Sequence, residues 1–97
     1  MKNPNRETVT ELVALPNIGK AIAGDLLLIG IDHPKKLIGK KPIDMYNALC
    51  TATGEKHDLC VLDTFMSAVH FMETGEALTW WSFTKERKRM HKASDHE

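Results

Sequence analysis

Six residues in the first quarter of the chain, Leu15-Pro16-Asn17-Ile18-Gly19-Lys20, have the types and spacing to bind an anion through the backbone. Proline disfavours helical geometry in the residue before it, so the chain must turn here. Asparagine is among the non-glycine residues best able to take positive φ. A tight turn feeding a helix N-terminus aims several N–H groups that lack intrahelical partners at one point. The positive end of the helix dipole adds to that field, and a phosphate fits there. Gly19 removes a side chain that would block close approach, Lys20 can set a charge beside the same phosphate, and Ile18 points inward to lock the turn. Such contacts fix position on a duplex without reading bases. The candidate set is therefore Pro16, Asn17, Ile18, Gly19, Lys20 and Ala21. The same turn also serves as a plain helix connector or as a protein-binding element, and both alternatives stand.

Phosphate affinity depends mostly on positive charge, and here 13 basic residues balance 13 acidic ones, for a net charge of zero with histidines neutral. Distribution matters more than the sum. Lys35, Lys36, Lys40 and Lys41 form one cluster without an intervening acid. Lys85, Arg87, Lys88, Arg89 and Lys92 form a second, interrupted only by Glu86; on a helix, Lys85, Lys88, Arg89 and Lys92 share a face. Lys35, Lys36, Lys85, Lys88 and Arg89 join the candidate DNA-contacting residues. Trp80, Trp81 and Phe83 can either stack on bases, as aromatic residues do on single strands, or anchor a C-terminal segment on the core. Anchoring is the reading adopted, with one of the two adjacent tryptophans left exposed, because helical neighbours point in different directions.

Other constellations are poorer. Cys50, His57 and Cys60 are three ligand types, but a closed zinc site needs a fourth, which His70 or His33 would have to bring from elsewhere. The simpler reading packs both cysteines as small apolar residues at facing helix ends. A redox-linked pair is the alternative, and it requires Cα atoms within about 7 Å. Asp58 and Asp63 lie five apart, off the helical i, i+3 and i+4 neighbours, and so make poor paired carboxylates. His70 reads as a structural histidine, His33 as a cap. Ser67 and Ser82 lack an identifiable base. The expectation is a protein that is not an enzyme and needs neither cofactor nor metal.

The elements that must position these residues read as short helices punctuated by proline and glycine. A first helix is expected over roughly Arg6–Ala14, with Val9, Leu12 and Val13 on one face. The second runs over Gly19–Ile29, with Ile22, Ala23, Leu26 and Ile29 inward and Gly30 as a left-handed terminator. A short third starts near Pro34 and stops at Gly39. Pro42 opens a fourth, with Met45, Leu49 and Ala52 on one face and Tyr46 and Cys50 on another, closed by Gly54. Asp58 caps a fifth, whose stripe is Leu62, Phe65, Met66, Val69 and Met72, closed by Gly75. Thr84 caps a charged final helix over Lys85–Lys92, and the tail 93–97 frays. No stretch alternates with period two. The reading is all-α, five to six short helices in a single domain over residues 1–97, the second half being a degenerate copy of the first helix pair.

At 97 residues, 42% hydrophobic and 27% charged, the chain has the size and composition of one globular domain with a modest core. Its longest apolar stretch, Leu26–Ile31, is too short to cross a bilayer, and Met1–Arg6 lacks the apolar region of a signal peptide. A cytoplasmic location is expected, where two cysteines stay as thiols.

The segment Leu12–Ile31 resembles the helix-hairpin-helix family at Leu15, Pro16, Ile18, Gly19, Ala23, Leu26, Gly30 and Ile31, and departs from it at Asn17, where glycine is commonest. The resemblance implies a SAM-domain-like fold and sequence-independent binding to the DNA backbone. A wider resemblance covers Thr10–Lys88. It is carried by the hairpin, by Met45-Tyr46-Asn47-Ala48-Leu49-Cys50, by Gly54-Glu55-Lys56-His57-Asp58-Leu59-Cys60-Val61-Leu62-Asp63 and by Trp80-Trp81-Ser82-Phe83-Thr84-Lys85-Glu86-Arg87-Lys88. Together these look like a small bacterial family labelled pathogenicity-locus or mitomycin-resistance protein, similar in layout to the C-terminal domain of TfoX-type competence regulators. The implied partner is double-stranded DNA, held weakly, in a setting of DNA repair or damage resistance. The alternative is a protein-interaction or homodimerisation domain of the same fold. A membrane partner is not expected.

Overall fold

The computed structural model describes residues 5–85 and residue 88. Three α-helices form where the punctuation is strongest: α1 over Lys20–Leu28, α2 over Pro42–Thr53 and α3 over Leu59–Thr74. Single 3₁₀ turns lie at Leu12–Ala14, Pro34–Leu37 and Trp80–Phe83, and no strand occurs among the described residues. Among the described residues no helix is long and apolar enough to cross a membrane.

The helix boundaries follow from residue types. Pro42 supplies a preset φ at the first position of α2. The Asp58 carboxylate accepts from the Cys60 N–H at 3.0 Å and caps α3. At the end of α1 the Ile31 N–H reaches the Leu26 carbonyl at 2.9 Å and the Gly30 N–H reaches that of Leu27 at 3.1 Å. With Gly30 at φ 84 this is a Schellman termination, sealed by burial of Leu26 and Ile31 together.

Two of the expected helices contract to single turns. The helix expected over Arg6–Ala14 is a turn at Arg6–Thr8, a stretch without regular structure and the 3₁₀ turn Leu12–Ala14. Thr8, Val9 and Thr10 are β-branched and disfavour continuation. The Asn5 side chain also diverts the chain locally, accepting from the Glu7 N–H at 2.8 Å. The helix expected near Pro34 is likewise a 3₁₀ turn, entered through His33, whose Nδ1 accepts from the Lys35 N–H at 3.1 Å. The helix expected over Lys85–Lys92 lies mostly outside the described residues, as does the tail 93–97.

α3 is the centre of the fold, not a helix with one inward stripe. Leu62, Asp63, Thr64, Phe65, Ser67, Ala68, Val69, Phe71 and Met72 are all buried, which puts protein on nearly every side. α2, the Pro34–Leu37 turn and the Trp80–Phe83 turn all pack on it. Its buried hydroxyls are satisfied locally: Thr64 Oγ1 donates to the Cys60 carbonyl at 2.9 Å and Ser67 Oγ to that of Thr64 at 2.8 Å. α2 buries Met45, Tyr46 and Leu49, half-buries Cys50, and leaves Ala52 exposed.

Candidate functional site

Leu15, Pro16, Asn17 and Ile18 form a β-turn closed by the Ile18 N–H on the Leu15 carbonyl at 3.2 Å. Proline at the second position and a φ of 68 at the third are the marks of a type II turn. Leu12, Leu15 and Ile18 are buried and hold the turn down, Pro16 is half-buried, and Asn17, Gly19, Lys20 and Ala21 face solvent. Gly19 is the N-cap of α1 and carries no capping side chain, so the first-turn N–H groups of α1 have no side-chain partner there. The first turn also lacks an acidic residue. Gly19 has φ −95, open to any residue, and a Cβ at this position would meet nothing within 4 Å. Neither backbone nor packing among the described residues asks for glycine.

Asn17 has a second role that the sequence reading missed. Its Nδ2 donates to the Leu78 carbonyl at 2.7 Å and to Ser67 Oγ at 3.3 Å. The turn is thereby pinned to α3 and to the strap that follows it. The signal was visible as asparagine in a place where the hairpin pattern prefers glycine.

The two lysine clusters differ in what surrounds them. Lys35 and Lys36 are exposed on the Pro34–Leu37 turn. Lys36 Nζ lies 2.8 Å from the Asp32 carboxylate, and this hydrogen bond and charge hold the Asp32 carboxyl below the usual carboxylate range. Lys35 lines a shallow groove with Arg6, Glu7, Ile38 and Met72, near the C-terminal end of α3. Lys85 and Lys88 are exposed at the other end of the strap, and Arg89 lies outside the described residues. Thr84 Oγ1, next to Lys85, donates to the buried Asp63 carboxylate at 2.8 Å. Asp63 and Ser67 are four residues apart, one turn of α3, or about 6 Å. Thr84, next to Lys85, and the Asn17 turn are thus anchored to neighbouring positions on α3.

Two comparisons bear on this arrangement. The sequence profile of the Cdd1 pathogenicity-locus family matches residues 5–89. The mitomycin resistance protein McrB of Streptomyces lavendulae is 36% identical over 88 residues, covering 91% of this chain and 84% of that protein. The chain belongs to the pathogenicity-locus family. No solved structure matches it. The matched region spans the hairpin, both later helices and the aromatic strap, as the sequence motifs implied; the likeness to TfoX-type regulators rests on those motifs alone.

In this family member several of the remaining candidate groups make structural contacts. His70 Nε2 lies 2.6 Å from the Glu76 carboxylate, and its ring meets Phe83 edge to face at 5.5 Å. Thr53 Oγ1 and His57 Nε2 are 2.7 Å apart, and the Tyr46 hydroxyl donates to the His57 carbonyl, closing the α2–α3 loop. Cys50 and Cys60 are free and half-buried. Burial first, then the Asp58 and Asp63 carboxylates, push the Cys60 thiol up, away from the thiolate that a nucleophile needs. Among the described residues no group of three or more His, Cys, Asp or Glu is placed to hold a metal. Phe83 is buried, Trp80 half-buried and Trp81 exposed, as the anchoring reading expects. Arg6 was not a candidate at all, yet its guanidinium donates to the carbonyls of Met72 at 3.2 Å and Glu73 at 2.6 Å and ties the N-terminal segment to the end of α3.

Proposed function

We propose that this protein is a non-enzymatic helix-hairpin-helix module that binds the DNA backbone without reading sequence. The observation that carries the reading is the entrance to α1: a positive-φ turn, an exposed glycine N-cap that nothing among the described residues requires, and a first turn with no capping side chain and no acid. Amide groups and the helix dipole both favour an anion there. Lys20, at the first position of α1, is a cation at the positive end of its own helix. That placement is unfavourable for the helix alone and useful once a phosphate sits beside it. Lys85 and Lys88 supply further positive charge. A relative named for mitomycin resistance fits a role in DNA damage resistance. Affinity for intact duplex is expected in the non-specific range, with Kd on the order of 10⁻⁴–10⁻⁶ M.

The test is Lys20→Glu in a duplex titration at low ionic strength. A glutamate at this position complements the helix dipole by about 0.3–1 kcal/mol, so the variant is expected to melt no lower than wild type. Loss of binding with stability intact supports the reading; unchanged binding sinks it. A second reading, a protein-interaction or self-association domain, is favoured by Leu27 and Leu28, which stand 57% and 59% exposed on α1. A stable dimer by light scattering together with a flat duplex titration would establish it instead.

A further inference from the structure

Trp81 is 61% exposed, the largest solvent-facing apolar side chain among the described residues. It is held firmly for an exposed group. The Trp80–Phe83 turn is closed by the Ser82 N–H on the Thr79 carbonyl at 3.0 Å and by the Thr79 and Ser82 hydroxyls 2.8 Å apart. Trp80 braces the Trp81 ring edge to face, with centroids 5.6 Å apart and planes at 87°. Buried Phe83 anchors the turn on α3. Trp81 and Lys85 each lie two residues from Phe83, so both turn away from the core it enters, and Lys88 is exposed as well. A fixed aromatic ring followed by two solvent-facing cations is the combination that holds a nucleic-acid base by stacking while neutralising its backbone.

The location adds to this. Leu78, three residues before Trp81, accepts the hydrogen bond from Asn17 at the tip of the hairpin. The strap therefore leaves the hairpin turn, presents Trp81, and returns to α3 at Thr84 and Asp63, one helical turn from where Asn17 meets Ser67. We propose that Trp81 stacks on an unpaired base while the hairpin holds the adjoining phosphates, so that the favoured ligand is duplex DNA carrying an unstacked or bulged nucleotide. The inference rests on the hairpin reading for its second contact. It adds a preference that amide–phosphate contacts cannot supply, because those contacts are the same on paired and unpaired strands.

The experiment is an anisotropy titration, at low ionic strength, of a labelled duplex and of the same duplex with one unpaired thymine. Wild type is expected to favour the bulged duplex by about tenfold, the scale of one base–aromatic stack. Trp81→Ala should remove that preference, leave intact-duplex affinity within about twofold and lower the melting temperature by only a few degrees, since the ring is mostly in solvent and its main packing partner is Trp80. Trp81→Phe should keep part of the preference. It leaves Trp80 as the one remaining tryptophan of two, so quenching of Trp81 emission on binding disappears with it. No preference in wild type, an equal loss on both ligands in Trp81→Ala, or a changed oligomeric mass with DNA preference intact would each overturn the proposal. Trp81-dependent binding of the bulged duplex with Lys20→Glu silent would instead keep Trp81 and remove the hairpin. Failure of wild type to bind either DNA would remove both.

Discussion

Replacing Asn17 separates two demands that meet at one residue. Its φ of 68 lies in the left-handed region, where alanine is disfavoured by about 1–2 kcal/mol and glycine is not. Its amide donates to the Leu78 carbonyl at 2.7 Å, at the surface, and to Ser67 Oγ at 3.3 Å, half-buried and long. Water can replace the first bond, so the pair together is worth about 1 kcal/mol. Asn17→Gly should therefore lower stability by about 1 kcal/mol and Asn17→Ala by about 2–3, the difference being the backbone term alone. In a domain of this size each kcal/mol lowers the midpoint by about 4–8 °C. Thermal unfolding followed by circular dichroism reads both, and hydrogen exchange at residues 76–79 should speed up equally in the two variants because both free the Leu78 carbonyl. If alanine is no worse than glycine, the left-handed backbone is not being enforced. If both variants melt like wild type, the pin to Leu78 contributes nothing.

Two further substitutions probe the frame around the site. Arg6→Ala removes two charge-assisted bonds to the terminal carbonyls of α3 and should lower stability by about 1 kcal/mol, discounted for partial exposure, with faster exchange at the end of α3; an unchanged denaturant midpoint would show that the N-terminal segment is not held through Arg6. Cys60, whose thiol is raised by burial and by its acidic neighbours, should alkylate more slowly than Cys50 at neutral pH, and Asp58→Asn should speed it while keeping the cap. The sign of the linkage follows: a thiol raised on folding contributes stability at neutral pH that is lost as pH climbs through the alkaline range where it ionises. Equal alkylation rates before and after Asp58→Asn would leave the carboxylates out of the account.

Much of the architecture was legible because it is written in local chemistry. Asp58, Pro42, Gly30, Gly54 and Gly75 mark helix ends by mechanisms that act within a few residues, and α1, α2 and α3 end where they should. The turn at Pro16–Asn17 was legible for the same reason. What failed depends on distance. The apolar spacing of Val9, Leu12 and Val13 fits a helix, yet three β-branched residues and the Asn5 side chain override it, and nothing in a periodicity shows that Arg6 is drawn to residues 72 and 73. α3 was under-read for a related cause. Of its expected stripe Leu62, Phe65, Val69 and Met72 are buried and Met66 half-buried, but Asp63, Thr64 and Ser67 look like a solvent face, and they are buried too, Asp63 meeting Thr84 and Ser67 meeting Asn17. The proposed site was half legible: the positive-φ turn that feeds α1 shows in residue types, whereas which lysines lie near it depends on where the chain returns after α3.

The departure of Asn17 from glycine now has a physical consequence for the site. Glycine there would give the same turn and the same amides, so the turn does not explain the asparagine. The side chain does, because it fastens the strap that carries Trp81, Lys85 and Lys88 to the tip of the hairpin. Under the proposed DNA reading, a net charge of zero leaves little general attraction to phosphate, and fixed geometry has to replace it. Two modest contacts on one rigid body act as one stronger contact only when their spacing is held, since the second then binds without paying again for translation and rotation. In the proposed complex the Asn17 amide, bonded to the Leu78 carbonyl and to Ser67, sets that spacing. On this argument Asn17→Gly leaves each contact chemically intact and weakens their cooperation, so it should reduce the preference for bulged duplex while sparing intact-duplex affinity.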